Sequence, residues 1–378
     1  MRIGIDARFF GPRVGGGGLG RYVSELVNHL QMLDERNEYV IFLKKENFAD
    51  FKVTKPNITK RLVDVAWYSF AEQTVLPREI LAAKVDMMHF PHWNVPVFCQ
   101  VPFIVTIHDL ILLDDPSSAR ATTRGPIVHG AKYLGFRLVL EAAVRRSRHI
   151  IAVSEATKRS ILKHFSVAPS KITVIHNGVR APEDGKGVSL RELGVLEPYI
   201  LYVGNSYPHK NLFMLLEAFS IVHAQLPRMQ LVFAGKHDQF SRALEQEARD
   251  RGFGSEHFRF INLPTDNELG ALYRHASVLA YPSKIEGFGI PPLEAMWCGT
   301  PVVCSNTTSL PEIVGDAAQT VSPDDPQRFS QALLAAIARK PEVVRMIDHG
   351  KKRVHQFLWE DAAGKTLEAY LSHGIRRL

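Results

Sequence analysis

The stretch "PSKIEGFGIPPLEAMWCGTPVV", residues 282–303, sets two glutamates, Glu286 and Glu294, around a glycine turn and a proline pair. Pro291 and Pro292 suit the first turn of a helix, where a missing N–H costs nothing. Gly287 and Gly289 just before it permit a turn that aims backbone N–H groups at an anion. A helix N-terminus carries about half a unit of positive charge, so phosphate is the natural guest. On this reading Glu294 falls in the first helical turn, in reach of a ribose hydroxyl beside that phosphate. Glu286, in the loop ahead of the glycines, reaches the other side of the ligand, toward a sugar. A plain loop followed by a capped helix would use the same residues, so the stretch alone leaves both readings open.

Outward from this point the chain alternates apolar strand-like runs with helical patterns, which argues for an α/β protein with parallel sheets. In the first half the runs are "RIGID", "YVIFL", "MMHF", "FIVTIHD", "HIIAVS" and "ITVIHNG". Around residues 180–198 the texture turns polar and rich in Gly and Pro, as in a linker. A second series follows, from "YILYVG" through "QLVFAG", "FRFIN" and "SVLAYPS" to "PVVCS", and the last forty residues read mainly as helix. At 378 residues the chain is too long for one compact core. Both halves therefore read as Rossmann-type domains, with ligand-binding loops at the carboxyl ends of their strands. Two such edges facing each other make a cleft.

Composition narrows the function classes. No run approaches the ~18 apolar residues of a spanning helix; "PFIVTIHDLILL" is broken by His108 and Asp109. The N-terminus reads as a strand and not as a signal peptide. Cys99, Cys298 and Cys304 form no framework or metal spacing, so a reducing cytoplasm is the expected compartment. Residues 1–185 hold 25 basic against 18 acidic side chains, whereas residues 186–378 hold 21 of each. The excess concentrates at 120–165, where only Glu141 and Glu155 oppose the basic residues. Such a patch attracts anionic lipid or acidic ligands, although a solvated helix face carries charge in the same way. Few aromatics interleave, which disfavours nucleic acid.

Three more segments bear on chemistry. In "YILYVGNSYPHKNL" a strand ends at Gly204 and Lys210 follows at the start of a helix, where one ammonium can offset pyrophosphate charge. In "FIVTIHDLILL" His108 and Asp109 stand at a strand end. "HFPHWNVP" carries His89 and His92; without a third ligand at a known spacing they read as packing and not as a metal site. "GPRVGGGGLGRYVSEL", residues 11–26, places Gly15, Gly17 and Gly20 in the G-x-G-x-x-G spacing. A dinucleotide fold needs those glycines directly at a strand end and an acid closing the second strand. Here residues 10–14 intervene and "YVIFLKK" ends in lysines, so the NAD reading is disfavoured.

The segment "EGFGIPPLEAM" with "CGTPVV" resembles the E-x7-E signature of retaining glycosyltransferases of family 4, which have the GT-B fold. The resemblance spans nearly the whole chain, through "IGIDAR", "GLGRYVSEL", "TIHDL", "IIAVSEATKRSI", "VIHNGV", "YVGNSYPHKNL" and "FLWEDAAGKTLEAY". It implies two Rossmann-like domains facing across a cleft: residues 1–183 on the acceptor side, 184–358 binding the nucleotide sugar, and a helix at 359–378 crossing back to the first. It further implies that Glu286 meets the donor hexose, that Glu294 binds the ribose, and that the backbone of Gly287, Phe288, Gly289 and Ile290 meets phosphate and sugar. Lys210 would stabilise the leaving diphosphate, and His108 would shape the sugar pocket. Gly17 and Gly18 align with a phosphate-facing loop. Family members often carry an Arg soon after the strand-end glycine; here Asn205, Ser206 and His209 stand there, with His209 a candidate second cation. Asp109 and His92 fall on the acceptor side.

The resemblance also implies a metal-independent reaction with same-face attack, Glu286 acting as a positioner more than a nucleophile. Asp114–Asp115 and Asp324–Asp325 are adjacent pairs before Pro and read as turns, not as an Asp-x-Asp metal cradle. No cofactor is expected beyond the nucleotide-sugar donor. "GNSYPHKNL" is similar to bacterial transferases that use GDP-mannose or a GDP-deoxyhexose to build surface polysaccharide such as O-antigen. The expected acceptor is a glycan or lipid-linked oligosaccharide, with peripheral contact to the inner face of an anionic membrane and no nucleic-acid partner. A UDP-hexose donor is the alternative within the fold, and an inactive GT-B scaffold the alternative outside catalysis.

Overall fold

The computed structural model describes residues 1–11, 14, 17–116 and 126–374, with only the helical backbone for 126–132. Gly15 of the glycine motif and Arg120 and Arg124 of the basic stretch lie outside the described residues.

Strands β1–β13 are Arg2–Asp6, Glu38–Leu43, Ile58–Leu62, Met87–Phe90, Phe103–Ile107, His149–Ala152, Ile172–Val174, Tyr199–Val203, Gln230–Gly235, Phe258–Asn262, Val278–Tyr281, Val302–Ser305 and Gln319–Val321. They form two sheets, seven-stranded in the order β3-β2-β1-β4-β5-β6-β7 and six-stranded in the order β10-β9-β8-β11-β12-β13. Every pairing is parallel. Parallel strands are covered by helices on both faces, which is why β5 ("FIVTI") and β8 ("YILYV") are unbroken apolar runs buried throughout. The edge strands β3 ("ITKRL") and β13 ("QTV") are absent from the sequence reading; half-exposed and polar, they carry no apolar run to betray them.

In both sheets the strand order reverses beside the first strand, between β1 and β4 and between β8 and β11. At that switch point the flanking loops diverge and leave a crevice at the carboxyl edge. Each sheet thus has one place prepared for a ligand.

The chain divides into two compact units. One takes the chain up to Leu110, the segment from the helix Pro126–Arg146 to Gly178, and the chain from Leu358 onward; the other runs from Val179 to Phe357 and takes the segment beginning at Ile111. In the first unit, Ile3 and Ile5 of β1 pack with Leu26, Val27 and Leu30 of the helix Gly18–Leu33. Each such side chain, fully buried, contributes about 1.5–3 kcal/mol. The helix Trp359–His373 closes this core: the Tyr370 hydroxyl meets His89 Nδ1 at 2.6 Å, and the Trp359 ring lies 5.6 Å from Tyr22.

The polar stretch at 180–198, linker-like by composition, is bolted to the second unit. Arg274 donates to the carbonyls of Pro182 and Glu183, Asn267 Oδ1 accepts from the Gly185 N–H, and Arg259 donates to Leu193 O. Gly185, at φ 74°, lies so close to Ala271 that a Cβ would sit 2.7 Å from its Cα. Arginines on neighbouring elements satisfy the carbonyls of a segment with no secondary structure of its own, a pairing that composition cannot reveal. No helix among the described residues is long and apolar enough to cross a membrane.

Candidate active site

In the second unit both halves of the switch point carry charge. The loop after β8 runs through Gly204 and Asn205 to a short 3-10 turn, Pro208–Lys210. The loop after β11 runs through Ser283 to Glu286. Because β8 and β11 are neighbours, Lys210 and Glu286 meet: Lys210 Nζ donates to Glu286 Oε1 at 2.7 Å, both side chains nearly buried. Burial by itself raises the Glu286 carboxyl, but the Lys210 ammonium outweighs it and holds the group below the ordinary carboxylate value. The loops brace each other through Lys284 N–H to His209 O at 2.8 Å. Thr308 Oγ1 accepts from the Glu286 N–H at 3.0 Å, and Ser309 Oγ donates to Glu286 O and Phe288 O, each at 3.0 Å. The sequence pointed at neither Thr308 nor Ser309, since nothing local to them signals the contact.

In the loop that carries Lys210, Ser206 Oγ and His209 Nδ1 are buried without a partner. Buried polar groups in native folds are nearly always satisfied, so these fit a ligand with acceptor and donor atoms, such as a diphosphate and its sugar. They stand where the family Arg is missing. His209 is not a second cation, however: burial, then the neighbouring Lys210, lowers its pKa to about 4, so it is neutral at pH 7. Asn205 lies in the same loop, its carbonyl accepting from the Tyr202 hydroxyl at 2.7 Å.

The helix after the glycine turn is Ile290–Trp297, entered through Gly289 at φ 99°, and no side chain caps its first N–H groups. The left-handed φ is what favours glycine at 289; a Cβ there would also lie 2.7 Å from Leu310 Cδ2, a side-chain end that would have to shift. The backbone of Gly287, Phe288, Gly289 and Ile290 thus forms the entry to an uncapped helix start. Glu294 is not in the first turn, contrary to the sequence reading: the helix begins at Ile290, and Glu294 stands one turn further in. There it is buried, and the Tyr273 hydroxyl donates to its Oε2 at 2.7 Å. Tyr273, near the end of the helix Asp266–His275, is a site residue that no motif announced.

The first unit places the remaining candidates at its own carboxyl edge. His108 follows β5; its Nε2–H donates to Pro91 O at 2.8 Å and its ring stands edge-on to Tyr22 at 4.6 Å. Burial lowers its pKa to about 4, although the Pro91 carbonyl favours the proton. His92 follows β4, packed against Trp93 and Phe9, and burial, then His108, takes it to about 3. Asp109 is half-buried next to His108. Gly17 (φ 70°) and Gly18 open the helix Gly18–Leu33, which also lacks a side-chain cap. His89 spends both ring nitrogens on Tyr370 and Thr106, which makes it a tie between β4 and the C-terminal helix. Among the described residues no group of three His, Cys, Asp or Glu is arranged to hold a metal ion.

A feature absent from the sequence reading lies beneath this edge. Arg8 is fully buried, donating to both Asp6 oxygens at 2.8 Å and to Glu72 Oε1 at 2.6 Å. Glu72 also accepts from Asn94 Nδ2 and the Tyr68 N–H. The network welds the end of β1 to the helix Phe70–Ala82 and the loop after β4.

Comparison with known proteins agrees with this construction. Residues 16–181 match the model "Glycosyltransferase Family 4", and residues 193–353 match "Glycosyl transferases group 1". The O-antigen chain mannosyltransferase RfbU of Salmonella typhimurium is 30% identical over 74% of this chain and 75% of its own. The O-antigen chain mannosyltransferase B of Escherichia coli is 26% identical over 93% and 95%. Among solved structures, sucrose-phosphate synthase from Thermosynechococcus elongatus superposes with a TM-score of 0.77 over 98% of both chains at 21% identity. WaaG, a glycosyltransferase involved in lipopolysaccharide biosynthesis, gives 0.73 over 98% of this chain and 99% of its own at 14% identity, and such likeness establishes the GT-B fold. The chain belongs to glycosyltransferase family 4 and is a glycosyltransferase.

Proposed function

We propose that this glycosyltransferase moves a mannosyl group, with retention of configuration, from GDP-mannose to a glycan or lipid-linked oligosaccharide of a surface polysaccharide. It does so without a metal ion and at the face of an anionic membrane. The observation that carries the donor side is the buried Lys210–Glu286 pair at the β8/β11 switch point. Two relatives named as O-antigen mannosyltransferases support the choice of sugar and of polymer.

An entering diphosphate competes with Glu286 for Lys210, because two phosphates attract an ammonium more strongly than one carboxylate does. Glu286, released from the ammonium, can accept a hydrogen bond from a sugar hydroxyl and orient the hexose. Lys210 and the uncapped N–H groups at Gly289–Ile290 then take up charge as the bond to the diphosphate breaks. Glu294, steadied by Tyr273, grips the ribose. Ser206 and His209 complete the phosphate contacts as neutral hydrogen-bonding groups. In this scheme the departing phosphate oxygen takes the acceptor hydroxyl proton on the face it leaves, which gives retention with no enzymic nucleophile.

A thermal-shift panel of GDP, UDP, GDP-mannose and UDP-glucose, followed by transfer of radiolabelled mannose to a lipid-linked acceptor, tests the reading. GDP stabilising the protein over UDP, and label appearing in the lipid fraction with EDTA present, are the expected results. Stabilisation by UDP alone would replace the donor. No stabilisation by either nucleotide, with no hydrolysis of nucleotide sugars, would leave only a scaffold.

A further inference from the structure

The first unit carries large apolar side chains where a water-facing surface has no use for them. Phe70 is 82% exposed, Tyr68 and Phe98 64% each, Leu134 60% and Leu138 58%. They come from three segments that the structure ties together. The Tyr68 ring lies 5.7 Å from Trp93, and Trp93 lies 4.8 Å from Phe136 of the helix Pro126–Arg146. Val97 N–H donates to Gln73 Oε1 of the helix Phe70–Ala82 at 2.7 Å. Arg146 donates to the carbonyls of Val97 and Cys99, so it holds exposed Phe98 between its two neighbours.

Neither helix segregates its residues. Phe70–Ala82 buries Leu76 and Ile80 yet turns Phe70, Val75 and Leu81 outward. Pro126–Arg146 buries Leu140, Ala143 and Val144 yet exposes Leu134 and Leu138, one turn apart on a single row. A helix apolar on both sides is normally covered on both. The charges along these helices supply the second observation. Each described acid is already paired: Glu72 with Arg8, Glu79 with Arg61, Glu141 with Arg145. Exposed Arg78, Arg137, Arg146 and Arg148 therefore leave the surface net positive around its apolar centre.

We propose that this surface of the first unit, with Phe70, Phe98, Leu134 and Leu138 as its apolar teeth and Arg78 and Arg137 in its basic rim, docks on an anionic phospholipid bilayer. Rings and leucines at the acyl boundary with arginines at the headgroups are what such a surface recognises, and a zwitterionic bilayer meets only half of it. The proposal rests on the membrane-facing part of the function above, and on neither the donor nor the sugar.

The test is sedimentation of the full chain with phosphatidylcholine vesicles, with and without phosphatidylglycerol, at low and high salt. Binding to the anionic vesicles is expected, weakened but not abolished by salt, because screening removes the Coulomb attraction and leaves the apolar one. Combined Phe70→Ser, Phe98→Ser, Leu134→Ser and Leu138→Ser should lower partitioning at least about tenfold while nucleotide thermal shift is kept. Arg78→Glu with Arg137→Glu should remove the preference for phosphatidylglycerol. Absence of binding to anionic vesicles at low salt overturns the proposal, as does serine-variant binding equal to the parent. A concentration-dependent dimer that the serine substitutions dissolve also overturns it, since a second copy then covers the face. Turnover on a soluble acceptor separates this outcome from the reaction itself: transfer with no vesicle binding sinks only the surface.

Discussion

The two sheets of this protein repeat one strand order and treat charge at their carboxyl edges in opposite ways. In the second unit the switch point holds a Lys–Glu pair on two loops, one of which also carries buried hydrogen-bonding atoms with no partner. In the first unit Arg8 is locked to Asp6 and Glu72 below the edge, and what the edge presents is neutral His92 and His108 with Asp109 beside them. Topology therefore prepares two crevices, and side chains decide that one holds an ion pair shared between two loops while the other sets neutral histidines and Asp109 over a locked ion network. On the proposed function the pair exchanges its partner for the donor, whereas the Arg8 network stays closed as a brace.

The largest effect should come from breaking the Lys210–Glu286 pair without unfolding it. Glu286→Gln keeps the shape, and transfer should fall about 10²–10³-fold, in line with removal of one preorganised polar contact, while GDP affinity by calorimetry is unchanged or tighter. Turnover near the parent rate would end the comparison. Arg8→Met breaks the brace instead. It leaves two carboxylates buried without their cation, and urea denaturation should show about 3–5 kcal/mol lost. Lys210→Met should lose activity with less lost stability, since Glu286 can protonate or meet water.

Acid sharpens the contrast further. Burial holds His89 and His92 at about 3 and His108 and His149 at about 4, all in the first unit. A histidine whose folded pKa lies below the unfolded value of ~6.5 binds its proton more readily when unfolded. Stability is therefore full above pH 6.5 and is lost as pH falls from there toward 4. Glu286, lowered in the folded state, keeps its contribution until pH drops through the carboxylate range. Hydrogen exchange at pH 7 and pH 5 should show the first unit loosening first, with the segments around β4, β5 and β6 leading. The second unit has fewer such groups, His209 and His223. Equal loosening of both units would contradict the assignment.

The smallest change expected in a substitution is at Tyr273. Tyr273→Phe removes one hydrogen bond to a carboxylate, worth about 1.5 kcal/mol, so donor KM should rise roughly tenfold with kcat within about twofold. A fall in kcat at unchanged KM would move Glu294 from ribose binding to the chemical step. On the proposed mechanism EDTA should leave the rate within about twofold, because Lys210 and helix N-termini would carry the leaving-group charge.

Much of this was legible along the chain. The alternation of apolar runs announced two parallel α/β units because parallel strands are buried on both faces, and "EGFGIPPLEAM" named the loop that carries Glu286. Legibility failed where a signal depends on residues far apart. β3 and β13 lie at sheet edges and have little to bury. The helix starts at Ile290, directly after Gly289 in its left-handed conformation, and that start leaves Glu294 beyond the first turn.

The sequence by itself determined the fold class and the family and named the candidate donor-side side chains, since those depend on local periodicity and on motifs of a few residues. Only the tertiary structure decided their state. Lys210 and Glu286 are 76 positions apart and meet because β8 and β11 are neighbours. His209, a candidate second cation by its position in the chain, is neutral because burial beside Lys210 lowers its pKa to about 4. Tyr273 reaches Glu294 from another helix. Charge state and partner are properties of a surrounding dielectric and of strand order, and neither is written at any one position of the chain.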